Sequence, residues 1–118
     1  MTGREHEQKK QIVRTGPFGD LIASGLRIGD ILTLAGQVGI DDEGATIGVG
    51  DICAQTRQAY LNVLEVLSEF GVAPDRIMDE TWFATDIQAV MANVDAMLET
   101  RLVELPGSTT QDVSNTLV

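Results

Sequence analysis

The stretch that most constrains this chain runs from Asp51 to Pro74. Apolar residues recur there at Ile52, Ala59, Val63, Leu67 and Phe70, with Leu64 and Val66 widening the stripe. That spacing predicts one amphipathic helix over Ile52–Phe70. Asp51 stands where an N-cap is needed, Gly71 where a C′ residue ends the helix, and Pro74 forbids its resumption. A second helix is predicted from Ile87 to about Leu102, capped by Asp86, with the stripe Ile87, Val90, Met91, Val94, Met97 and Leu98. Neither helix can bury its stripe alone, so each requires a layer to lie against.

That layer is a sheet. "QIVRT" (Gln11–Thr15) offers a short strand, closed by the turn-forming "GPFGD". "LIASGLRIG" (Leu21–Gly29) and "ILTLAGQV" (Ile31–Val38) are two apolar runs meeting at Gly29-Asp30, which predicts an antiparallel hairpin. "DDEGATIGVGD" (Asp41–Asp51) is a glycine-rich loop whose glycines lack the order of a phosphate cradle. "IMDETWFAT" (Ile77–Thr85) reads as a strand with Trp82 and Phe83 on opposite faces, and the closing "DVSNTLV" as another. The order is β-β-β-α-β-α-β. Two helices cover one face of such a sheet, and the other keeps apolar residues that nothing in the chain covers. Uncovered apolar area of that size marks an interface, which points to a homo-oligomer.

Charge narrows the partners. Eighteen Asp and Glu against eight Lys and Arg give −10, and both lysines (Lys9, Lys10) with Arg4 and Arg14 lie in the first fourteen residues. From Asp20 onward the cations are Arg27, Arg57, Arg76 and Arg101. A nucleic-acid binder clusters cations against phosphates, so nucleic acid is disfavoured as a partner. Residues 1–9 read as a mobile polar leader and 10–118 as a single domain. No apolar run approaches the roughly 18 residues of a membrane helix, and the leader lacks a secretory core, so no membrane partner is expected. The lone Cys53 excludes an internal disulfide and suits a reducing cytoplasm. With His6 the only histidine, no metal site of N/S type can be assembled, and no cofactor is implied.

"GPFGDLIASGLRIGDILTLAGQVGID", followed by "GDICAQTRQAYLNVLEVLSEFGVAPDRIMDETWFATDIQAVMANVD", resembles the reactive intermediate deaminase family, the RidA-like or YjgF family. Members read GPYSQA, then SGQIP, then Q-T-Q-x-x-x-N-hydrophobic, then T-V-F-hydrophobic-x-D before a helix with a V-N pair. The resemblance runs from about Thr15 to about Glu99. It implies an α+β, chorismate-mutase-like fold, a mixed sheet covered on one face by two helices. It also implies a homotrimer with small-molecule clefts between subunits. Family enzymes hydrolyse imine or enamine acids to keto acids and ammonia, gripping the substrate carboxylate with an arginine.

Residue by residue, this chain departs from that pattern. The family tyrosine falls on Phe18, the serine of SGQ on Ala35, its glycine on Gly36 and its glutamine on Gln37. The asparagine of the second helix is Asn93. "NTLV" stands where the arginine-bearing strand would, placing Asn115 on the arginine, Thr116 on the serine and Leu117 on the cysteine that often follows. The family's last strand, with its water-placing acid, falls beyond Val118 in this alignment. The resemblance therefore implies a ligand site at Phe18, Gly36, Asn93, Asn115 and Thr116, with no catalytic residue assigned.

Each of these residues also has a plainer role. Asn93 can bridge within its helix, Phe18 can be a cleft wall, Cys53 a small packing residue, and Trp82 core or subunit contact. Arg101 can complement the dipole at the end of its helix, or stand in for the missing arginine. Function divides three ways: an imine or enamine hydrolase not specialised for simple 2-imino acids, a non-catalytic ligand-binding trimer on the same scaffold, and, least favoured by the charge, an endoribonuclease.

Overall fold

In a computed structural model, residues 9–107 and 114–117 are described, the last four by their backbone alone. The elements in chain order are β1 (Lys10–Val13), β2 (Gly25–Ile28), β3 (Ile31–Leu34), α1 (Ile52–Phe70), a 3-10 turn (Pro74–Arg76), β4 (Asp79–Trp82), α2 (Ile87–Glu104) and β5 (Ser114–Leu117). This is the α+β order the sequence predicts. The strands pair as an antiparallel β1-β2-β3 sheet and a parallel β4-β5 pair. Parallel strands need a crossover connection, and α2 supplies it.

Helix α1 has the predicted bounds for the predicted reasons. The Asp51 carboxylate accepts from the Ala54 N–H at 3.1 Å, and Gly71 takes φ 70° while its N–H closes on Leu67 and Ser68 carbonyls. Asp86 caps α2 through Ala89 N–H at 3.1 Å, but α2 continues to Glu104, two residues past the predicted Leu102. Gly29 joins β2 to β3 with φ 59°, the positive value a two-residue hairpin asks of its first residue.

The strands are shorter than predicted, for a local reason. Leu21 and Ile22 are not in β2, because their N–H groups turn back onto the Phe18 carbonyl at 3.0 and 2.9 Å. The ladder begins only at Gly25. There the missing side chain matters: a Cβ would stand 2.5 Å from the Phe70 ring. Phe70, Val66 and Val13 form the centre of the core, with Leu32, Leu34 and Val72 packed around them.

Register sorts the sheet into two faces. Val13, Leu32 and Leu34 turn toward α1. Ile12 pairs with Leu26 and Ile28 with Ile31 on the opposite face, where Ile12, Ile28 and Ile31 are exposed. The uncovered apolar face expected from the element count is present in this chain. No described helix is long and apolar enough to cross a membrane.

The α2 stripe differs from its prediction. Val90 and Met97 are buried, together with Arg101, whereas Ile87 and Met91 are exposed. The buried line includes a charged residue, Arg101, which an apolar pattern cannot register.

Candidate functional site

Two loops and one helix enclose a cleft of about 110 Å³. Thr15–Phe18, after β1, forms one wall, and Ala35–Val38, after β3, forms the other. Asp41 and Asp42 follow from the glycine-rich loop, and Asn62 and Glu65 reach it from α1. A buried pin sets the first wall. Ser24 Oγ accepts from the Thr15 N–H at 2.8 Å and donates to the Thr15 carbonyl, so the chain entering the GPF turn is tied to the start of β2. Arg14 adds a bond from its guanidinium to the Gly19 carbonyl at 2.9 Å.

The second wall hangs on Asn62. Its side-chain amide donates to the carbonyls of Val38 and Ile40 at 2.8 and 2.9 Å, and Gln58 donates to its oxygen at 3.1 Å. The amide nitrogen thus fixes the loop to α1, and the bond from Gln58, one turn back on the same helix, orients the amide. Close approach at Gly39 reinforces this contact, since a Cβ there would stand 2.9 Å from the Gln55 Cα. The Asp41 carboxylate accepts from Glu43 and Ala45 N–H groups, both at 2.9 Å, and so shapes its own loop.

Of the residues expected at the site, Phe18 and Gly36 line this cleft, as do Ala35 and Gln37. The Phe18 ring is half exposed, and a Cβ at Gly36 would meet nothing within 4 Å. Asn93 does not line it. Its amide donates to the Ala89 carbonyl one turn back, at 2.8 Å, the local bridge that is its plainer role. Asn115 and Thr116 sit on β5 in register with Glu80 and Thr81 of β4, and their side chains lie outside the described set. Asn62 was missed as a named site residue. Its signal was present in "QTRQAYLN" (Gln55–Asn62), where the asparagine stands seven residues after Gln55, one beyond the Q-T-Q-x-x-x-N spacing.

A second polar cluster joins α1, β4 and α2. The Tyr60 hydroxyl donates to Glu80 Oε1, and the Trp82 indole N–H is shared between Tyr60 Oη at 2.7 Å and Glu80 Oε1 at 2.9 Å. Arg101 Nε donates to Glu80 Oε2 at 2.8 Å. Burial first, then the Glu80 carboxylate beside it, pushes the Tyr60 phenol well above its ordinary range. Trp82 is half-buried against this cluster, and Phe83 beside it is exposed. Arg101 belongs to this cluster and does not line the cleft.

Comparison with known proteins gives the frame for this geometry. The family profile described as Endoribonuclease L-PSP matches residues 10–115. A RutC family protein of Pyrococcus abyssi is 31% identical over 72 residues, 61% of this chain and 54% of that protein, so the matched stretch spans about half the relative's length. A crystal structure of a Rid-family protein of unknown function from Yersinia pestis superposes with TM-score 0.74 at 25% identity, over 93% of this chain and 85% of that one. RidA from an Antarctic Psychrobacter gives TM-score 0.72 at 16% identity over 94% and 84% of the two chains, which speaks for the fold alone. The profile spans both walls of the cleft as well as the α1 and α2 helices that carry Asn62 and Arg101, and the chain belongs to the YjgF/RidA family, the family described as Endoribonuclease L-PSP.

Proposed function

We propose that this protein hydrolyses imines or enamines of small molecules in the Phe18–Gly36 cleft, and that it is not specialised for simple 2-imino acids. The observation that carries the reading is the cleft lining. The two family segments "GPF" and "LAGQ" face each other there, and among the described residues no lysine or arginine lines the space between them. Its volume of about 110 Å³ compares with the roughly 150 Å³ that suffices for benzene, which suits a ligand of a few heavy atoms. Hydrolysis of an imine asks mainly that water and the imine carbon be held together, which a small walled cleft favours.

The exposed Ile12, Ile28 and Ile31 face supports assembly into a homotrimer, which would complete the cleft from a neighbouring subunit. A non-catalytic ligand-binding trimer is the second reading, favoured by the same absence of a lining cation. Ribonuclease action, the activity in the family's description, fits poorly with a chain of net charge −10.

The test generates 2-iminopropanoate from alanine with an amino-acid oxidase, traps the remainder with semicarbazide, and follows its decay. The proposal expects this protein to change that decay little. Acceleration matching an arginine-bearing relative would show that a carboxylate anchor exists after all.

A further inference from the structure

The charge of the cleft goes further than the missing anchor. Asp41, Asp42 and Glu65 all line it, as does Phe18, which is half exposed. Among the described residues no lysine or arginine lines the cleft, and Arg57 and Arg101 are paired with Glu104 and Glu80 away from it. Anions are repelled from such a cleft. A cationic nitrogen gains from the carboxylates and from the face of the aromatic ring.

We propose that the preferred substrates are imines of simple amines, bound as iminium cations without a carboxylate. This rests on the hydrolase reading above and names its substrate class. The reaction is R–CH=NH₂⁺ + H₂O → R–CHO + NH₄⁺. Water oxygen bonds to the iminium carbon, the C–N bond of the resulting carbinolamine breaks, and the protons released by water leave on the ammonium nitrogen. Cation enters and cation leaves, so the carboxylates favour the bound state throughout. The class of reaction that must supply such a substrate is oxidation of a primary amine.

A matched pair tests this. An amine oxidase makes the imine of 3-methylbutylamine, and an amino-acid oxidase makes that of leucine, which differs by the carboxylate alone. The full-length protein should accelerate decay of the first at least about tenfold more than the second, one decade being about 1.4 kcal/mol of discrimination. Calorimetry with 3-methylbutylammonium and 4-methylpentanoate should show binding of the cation only, weakened about tenfold in Asp42→Asn/Glu65→Gln, whose exposed side chains carry little packing. Faster decay of the leucine imine, or tighter binding of the carboxylate, overturns the charge preference and leaves the hydrolase reading standing. Cation binding without acceleration of either imine supports the charge preference and removes the hydrolase. Absence of cation binding overturns the inference whatever the kinetics.

Discussion

Arg101 on α2 is wholly buried, and its Nε donates to Oε2 of Glu80 on β4 across 2.8 Å. The same carboxylate accepts from Tyr60 of α1 and Trp82 of β4, so one acid ties together three elements. Taking two charges out of water is costly, and removing one partner leaves the other stranded. Arg101→Ala and Glu80→Ala are each expected to lower unfolding free energy by about 3 kcal/mol or more, whereas Glu80→Leu/Arg101→Met should cost far less than the sum. Urea denaturation of the four proteins checks this, and additive losses would contradict the coupling.

The raised Tyr60 phenol makes a separate claim about pH. In the unfolded chain tyrosine ionises near pH 10, while the folded state holds the proton more tightly. The contribution of this group is therefore intact below about pH 10 and is lost as pH rises from there toward the folded value. Wild-type stability should fall above that pH more steeply than that of Tyr60→Phe, as read from chemical denaturation across the alkaline range. Parallel curves would contradict the burial of the phenol.

The paired isoleucines of the open sheet face predict an assembly. Light scattering after size exclusion should give three times the chain mass at micromolar concentration. Ile31→Asp, on an exposed strand end away from the core, should shift it to monomer without unfolding the helices. A wild-type monomer would remove the argument for a shared cleft.

Legibility followed locality. The bounds of α1 could be read because Asp51, Gly71 and Pro74 act on backbone groups within a few residues of themselves. The outward face of the sheet followed from strand alternation and a count of helices. Arg101 was read as a dipole complement, because its partner Glu80 lies 21 residues away and nothing in an apolar pattern announces a buried ion pair. Ile87 and Met91 were assigned to the buried stripe on apolar spacing alone, and both are exposed. In the site, Phe18 and Gly36 came from the family resemblance, and they meet across the cleft. Asn62 does its work on the backbone of a loop 22 and 24 residues earlier, a contact visible only once the loop is folded.

Imine hydrolysis is proposed to take place in the cleft at Gly36. The most direct measurement compares wild type with Gly36→Leu in the semicarbazide-trapped decay of the 3-methylbutylamine imine. Thermal unfolding and particle mass serve as controls for fold and assembly. A Cβ at Gly36 meets nothing within 4 Å in this chain, so the leucine is expected to leave the fold intact and to occupy space between the walls. Wild type should accelerate the decay, and Gly36→Leu should lose about tenfold or more of that acceleration, roughly 1.4 kcal/mol of transition-state stabilisation. Equal acceleration by both proteins would place the chemistry elsewhere, and no acceleration by wild type would contradict the claim outright.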